Sequence, residues 1–127
     1  MTATALDAVL EQQFALAALR LRLDEELGTL HGLAWDDFVL LAAMGAVGGA
    51  LPTRTLAARL GLSASALVLR LLPLEKTGLI TRAVTPAGLR EVALRAPGRR
   101  LLGEARETAL EVCTARATAG PGKAGVA

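Results

Sequence analysis

The apolar positions of the first thirty residues fall into two helical stripes. Leu6, Leu10, Phe14, Ala17 and Leu21 recur at three- and four-residue spacing, and so do Leu16, Leu19, Leu23, Leu27 and Leu30. Spacing of this kind puts each set on one face of a helix, predicted over about residues 3–27 with Gly28 as its stop. One stripe serves a helix packed on a single body. Two stripes suit either a central helix of a monomer or an arm shared with a second subunit, and the arm is the favoured reading. Leu33 and Phe38 then stand at staple spacing around Ala34, with Asp36 and Asp37 in the first turn, predicting a second helix from Trp35 to Ala46. Its N-cap position, Ala34, offers no side-chain acceptor.

The next segment alternates short helical stretches with turn residues. Gly48-Gly49-Ala50-Leu51-Pro52 predicts a turn, and Thr53 a cap for a third helix over about Arg54–Leu60. Gly61 ends that helix and Ser63 caps a fourth, about Ala64–Thr77. Two short helices joined by Gly-Leu-Ser, with small Ala58 at their crossing, form a helix-turn-helix pattern. Pro73 lacks the N–H that would bond the Leu69 carbonyl, which predicts a kink. Gly78 follows as the C′ glycine, then a strand over 79–84, a turn over 85–88 and a return strand over 91–94. A helix-turn-helix followed at once by a β-hairpin is a winged helix. A last helix, from Pro97 or Gly98 to about Thr118, puts Leu101, Leu102, Ala105, Ala109, Val112 and Cys113 on its packing side, with Gly120–Ala127 a frayed tail.

Composition narrows the choice of function. At 127 residues the chain holds one domain, or one domain with dimerisation arms. Its aromatics are Trp35, Phe14 and Phe38 alone, which argues against a β-sandwich or barrel and against single-strand binding by base stacking. The lone Cys113 excludes an intrachain disulfide and a cysteine metal site, as fits a reducing cytoplasm. The acidic N-terminus predicts no secretory signal. The longest apolar run, Phe38–Leu51, has 14 residues with three glycines and falls short of the roughly 20 a membrane span needs. One His and one Cys, with no acidic cluster facing either and no glycine-rich phosphate loop, supply no triad and no metal-ligand set, so neither an enzyme nor a cofactor is expected.

Charge adds the direction. Residues 1–53 carry two basic and seven acidic side chains, 54–100 nine basic and two acidic, and 101–127 three of each, so the formal charge runs from −5 to +7 to 0. Segregation of this kind predicts a surface for a polyanion inside the winged-helix segment.

Four stretches together make the chain resemble the MarR family of bacterial transcriptional regulators. They are Leu27-Gly28 with His31-Gly32-Leu33; Leu56-Ala57-Ala58-Arg59-Leu60-Gly61-Leu62-Ser63; Leu74-Glu75-Lys76-Thr77-Gly78-Leu79-Ile80; and Pro97-Gly98-Arg99-Arg100-Leu101-Leu102. The resemblance implies a mainly α fold with a small β-hairpin wing: a winged helix-turn-helix with N- and C-terminal dimerisation helices. Residues 1–34 and 97–119 would form the dimerisation region, 35–96 the DNA-binding lobe and 120–127 a flexible tail. It also implies an obligate homodimer on pseudo-palindromic duplex DNA and a small-molecule effector, a phenolic ligand or an oxidant; the short apolar run, separately, predicts no membrane partner.

The chain departs from the family at its reading surface. Family recognition helices turn Ser, Thr, Arg, Asn or Gln outward, where this chain has Ala64, Val68, Leu69, Leu72 and Pro73. Only Ser63, Ser65 and Arg70 stay polar, and Arg70 falls where the family has a buried apolar residue. The family's Asp-x-Arg wing motif stands as Gly88-Leu89-Arg90, so the Arg remains without its Asp. The wing and the C-terminal helical region are also shorter.

Arg90, at the wing tip, is the leading candidate for a minor-groove contact. Arg54, Arg59, Arg82, Arg95 and Arg99 are candidate phosphate contacts, with a solvated face as the alternative for each. Ser63 and Ser65 could donate to a phosphate, although capping explains Ser63 as well. His31 and Trp35 sit where the family's ligand crevice would lie, and Cys113 is read as structural. A second function stays open: a protein-interaction module of the same fold, with weakened or lost DNA binding, that docks through Val68, Leu69 and Leu72. Exposed Arg70 would favour DNA; exposed Leu69 and Leu72 with buried Arg70 would favour a protein.

Overall fold

The computed structural model describes the backbone of residues 4–126 and the side chains through residue 117. In chain order it contains α1 (Ala5–His31), α2 (Trp35–Gly45), β1 (Leu51–Pro52), α3 (Thr53–Leu60), α4 (Ala64–Lys76), β2 (Ile80–Val84), β3 (Arg90–Leu94) and α5 (Ala96–Val126). The chain divides into two compact units, residues 36–105 and residues 1–35 with 106–127.

The unit over 36–105 is a winged helix. Helices α3 and α4 turn by 105° at the Gly61-Leu62-Ser63 break, as a helix-turn-helix requires. Gly61 makes the turn possible: its φ of 67° is left-handed, and its N–H reaches back to the carbonyls of Ala57 and Ala58. On the other side of the break the Ser63 hydroxyl accepts the Ala66 N–H at 3.2 Å, the expected N-cap. Apolar side chains from every element fill the core, among them Leu40, Leu41 and Met44 from α2, Leu56 from α3, Leu67 and Leu71 from α4, Ile80 and Val92 from the strands. Each is worth about 1.5–3 kcal/mol when fully buried, so this lobe is held mainly by aliphatic packing.

Three strands, not two, make the sheet. β2 pairs antiparallel with β3 from Ile80↔Leu94 to Val84↔Arg90, and β1 pairs on the other side of β3 through Leu51↔Val92. The segment expected as a plain turn before α3 thus supplies an edge strand. Pro52 is tolerated there because an edge position does not need its missing N–H. Pro52 also takes the N-cap position of α3 and leaves it without a side-chain cap, so Thr53 is the first helical residue and not the expected cap.

Gly98 joins the wing to α5. It is buried, and a Cβ at this position would run into the carbonyl oxygen of Leu79. The same carbonyl accepts the Arg95 N–H at 2.9 Å. Only glycine permits this approach of α5 to the end of the hairpin.

In the unit of residues 1–35 and 106–127, α1 runs past its expected end. Gly28 stays helical, and Gly32, at φ 63°, makes the left-handed stop instead. A glycine inside a helix costs about 1 kcal/mol against alanine but does not end it. At the other end Thr4 and Asp7 form a capping box: the Thr4 hydroxyl accepts the Asp7 N–H and the Asp7 carboxylate accepts the Thr4 N–H, both at 3.1 Å. These bonds hold the Asp7 carboxyl below its ordinary range. The missing side-chain cap of α2 is supplied from α1, whose Asp24 carboxylate accepts the Trp35 N–H at 2.7 Å.

Two further expectations change at the C-terminus. The backbone of α5 continues as helix to Val126, past Thr118 and through the expected tail, while the side chains of 118–127 lie outside the described residues. Ala105, Ala109 and Val112 are buried as expected, but Cys113, one residue or 100° further round, is exposed and is no packing residue. Among the described residues no single helix is long and apolar enough to cross a membrane.

Candidate nucleic-acid interface

Helix α4 sorts its side chains by the helical period. Leu67, Leu71 and Leu74, at i, i+4 and i+7, are buried in the lobe. The opposite face therefore turns outward, and on it Ser65, Leu69, Leu72, Pro73 and Lys76 are exposed. Leu69 is 71% exposed and Leu72 42%. The outward apolar pair expected from the sequence is present. α4 continues through Pro73 to Lys76, so the proline does not end it. The Thr77 hydroxyl closes the last turn by donating to the carbonyls of Pro73 and Leu74.

Arg70 lies beside that face and not on it. Its Nη1 is 3.6 Å from Asp36 Oδ2 at the start of α2, and its side chain is 40% exposed. It is thus neither the buried side chain of the protein-docking expectation nor the outward donor of the DNA one. The neighbouring Asp37 carboxyl is pushed above its ordinary value, chiefly by burial; Arg70 draws it down and Asp36 adds to the rise.

The start of α3, the first turns of α4 and the wing enclose a cleft of about 750 Å³. Arg54, Arg82 and Arg90 line it together with Val68, Val84, Leu89 and the acids Glu75 and Glu91. Arg82 is already engaged, its Nε 3.1 Å from Glu75 Oε1. Among the described residues Arg54, Arg59, Arg90 and Arg95 make no ion pair. Arg90 opens β3 at the wing, directly after a tight loop. In that loop Thr85 N–H donates to the Leu89 carbonyl at 2.8 Å, its hydroxyl accepts the Leu89 N–H at 3.0 Å, and Gly88 takes φ 84°. The loop holds the wing together without the Asp of the family motif.

The other expected residues are placed elsewhere. Ser63 Oγ caps α4 and lies 3.4 Å from Ser65 Oγ. Arg99 Nη1 donates to the Leu94 carbonyl at 2.9 Å, which ties it to the hairpin base. Arg95 is exposed but lines no part of the cleft. His31 Nε2 and Thr108 Oγ1, 2.7 Å apart, link α1 to α5, and half-buried Trp35 follows Asp24 in the same unit. Sequence reasoning missed Val84 and Leu89 on the wing, exposed at 64% and 45%; alternation along β2 puts Val84 on the face of buried Ile80 and gave no signal of it.

No family model and no curated protein matches the chain. Solved structures do. A MarR-family transcriptional regulator from Rhodococcus sp. RHA1 superposes with a TM-score of 0.78 at 22% identity, over 88% of this chain and 79% of that one. CouR from Rhodococcus jostii RHA1, solved with p-coumaroyl-CoA bound, gives 0.75 at 21% identity over 88% and 78%. The transcriptional regulator BldR from Sulfolobus solfataricus gives 0.70 at 24% identity over 87% and 83%. The fold of this chain, three-stranded wing included, is that of the MarR-family transcriptional regulators.

Proposed function

We propose that the chain is a MarR-type transcriptional regulator that binds duplex DNA as a homodimer. The observation that carries this reading is the position of Arg54 and Arg90, without ion pairs among the described residues, on one cleft between the recognition helix and the wing. A helix presented outward beside a cleft that carries two such cations suits a groove flanked by phosphates.

The dimer rests on α1. Of its two stripes, Leu23 and Leu27 are buried, whereas Leu6, Leu10, Phe14 and Leu21 are all exposed. That much apolar surface along one helix marks an interaction face, and a second copy of the same helix is its simplest complement. A small-molecule effector belongs to the same reading, with His31 and Trp35 as its candidate residues. CouR, solved with p-coumaroyl-CoA, is a neighbour that supports it. Such a regulator would act in the cytoplasm.

The protein-docking alternative draws on exposed Leu69 and Leu72, but Val68 beside them lines the cleft with Arg54 and Arg90, and a cationic border suits DNA better. Titration of the purified protein with genomic duplex fragments at several salt concentrations tests the reading. With ~6–9 phosphate contacts from two subunits, log K against log[salt] should slope at roughly −5 to −8. Flat salt dependence would refute it.

A further inference from the structure

We infer that the recognition helix selects its site through the C5-methyl groups of thymine, and not through hydrogen bonds to base edges. The inference rests on the duplex-DNA reading above and adds the chemical feature that is recognised.

Base edges in the major groove are read by side-chain donors and acceptors, and α4 has almost none to offer. Arg70 is turned to Asp36 at 3.6 Å. The Ser63 hydroxyl accepts the Ala66 N–H, and Ser65 Oγ lies 3.4 Å from it. On the outward face the polar side chains are Ser65 in the first turn and Lys76 in the last, and between them lie Leu69 and Leu72; Leu69, at 71%, is the most exposed of the large apolar side chains described. The thymine methyl is the apolar group that the major groove displays. The two leucines, three residues apart, share one face and are displaced by about 4.5 Å along the helix axis. That displacement is between one and two base-pair steps of about 3.4 Å, enough for the two leucines to reach two different base pairs.

Charge decides for DNA as the occupant of this apolar face. Residues 54–100 carry nine basic side chains against two acidic, and Arg54 and Arg90 border the cleft next to the helix. Phosphate contacts hold the duplex and carry no sequence information, so the leucines are left to discriminate.

The test compares thymine with uracil, which pairs identically with adenine and lacks only the methyl. A random-sequence duplex pool is enriched on the purified protein at low salt, and the enriched duplex is resynthesised with dU at its selected A·T pairs or, as control, at unselected ones. We expect selected A·T pairs, with an affinity loss of roughly fourfold per methyl removed, about tenfold or more for the two methyls of one half-site and on the order of a hundredfold or more for two half-sites. Leu69→Ala with Leu72→Ala should bind the dT and dU duplexes equally, with an unchanged salt slope and melting temperature. Should the double variant melt early, the wild-type dT–dU comparison still decides. Equal wild-type affinity for the two duplexes, or selection of G·C pairs alone, overturns the inference and leaves DNA binding standing. Failure to enrich any duplex overturns the DNA reading itself.

Discussion

Arg70 on α4 and Asp36 at the start of α2 stand 3.6 Å apart, and this pair determines what the recognition helix shows to a groove. With its guanidinium held to one side, the helix presents Leu69 and Leu72. Both partners are about 40% exposed, so the pair itself contributes little stability, at most about 1 kcal/mol.

Removing the acid should therefore change binding more than folding. Asp36→Asn is expected to shift stability by less than about 1 kcal/mol. It should tighten DNA binding with little regard to sequence, because a freed Arg70 gains access to phosphate. Thermal melting and titration with unrelated duplexes check both halves; unaltered affinity would mean that Arg70 stays off the groove.

The wing arginine is exposed and without an ion pair among the described residues, so its loss should leave the melting temperature alone. Arg90→Ala should weaken DNA binding by about 1–3 kcal/mol, the cost of a specific contact. Arg54→Ala should weaken binding evenly across sequences and make the salt slope shallower by about 1. An unchanged dissociation constant for Arg90→Ala would show that the wing contributes nothing to affinity.

Assembly is tested on the exposed stripe of α1. Leu10→Glu with Phe14→Glu places two charges where an obligate interface, above about 2,000 Å², would bury them. Light scattering should report a dimer for the parent protein and a monomer for the double variant. A dimer that survives both changes would put the interface elsewhere.

Asp37 offers a pH signature. Burial raises its carboxyl above the ordinary 3.8, so the folded state holds the proton more tightly than the unfolded state. Its contribution is then most favourable at low pH, falls as pH rises from about 3.8 to the raised value, and stays level above that. Asp37→Asn carries no charge to desolvate. It should melt higher than the parent at neutral pH, with the gap closing as pH falls from the raised value towards the ordinary 3.8. A gap that widens on acidification would reverse the assignment.

Gly98→Ala probes the approach of α5 to the hairpin. The added methyl meets the Leu79 carbonyl, which is backbone and cannot swing aside. A loss of about 1–3 kcal/mol is expected, typical of overpacking. Chemical denaturation of the pair of proteins measures it; equal stability would mean that the hairpin end yields easily.

What could be read in the chain was what depends on neighbours in sequence. Helical periodicity identified α1, α2 and α4, and Gly61 with Ser63 located the turn between α3 and α4, because capping and left-handed glycines are local chemistry. The hairpin followed from Gly78, Gly88 and the apolar runs between them. The segregated charge pointed to the same lobe, and the outward direction of Leu69 and Leu72 follows from the burial of Leu67, Leu71 and Leu74 at helical spacing.

What tertiary structure alone decided is which of these side chains remain available. Asp36 and Arg70 are 34 positions apart, and Glu75 and Arg82 lie on different elements, so no local rule foretells that two of the expected DNA-binding arginines are engaged by acids. β1 was unreadable for the same reason, since two residues ending in proline become a strand only when Val92 lies opposite. Gly28 against Gly32 was a choice between two permissible stops, settled where the helix had room to continue. Propensity acts over one turn of chain, whereas pairing of charges and strands acts through space, and the candidate interface of α4 and the wing is made by the second.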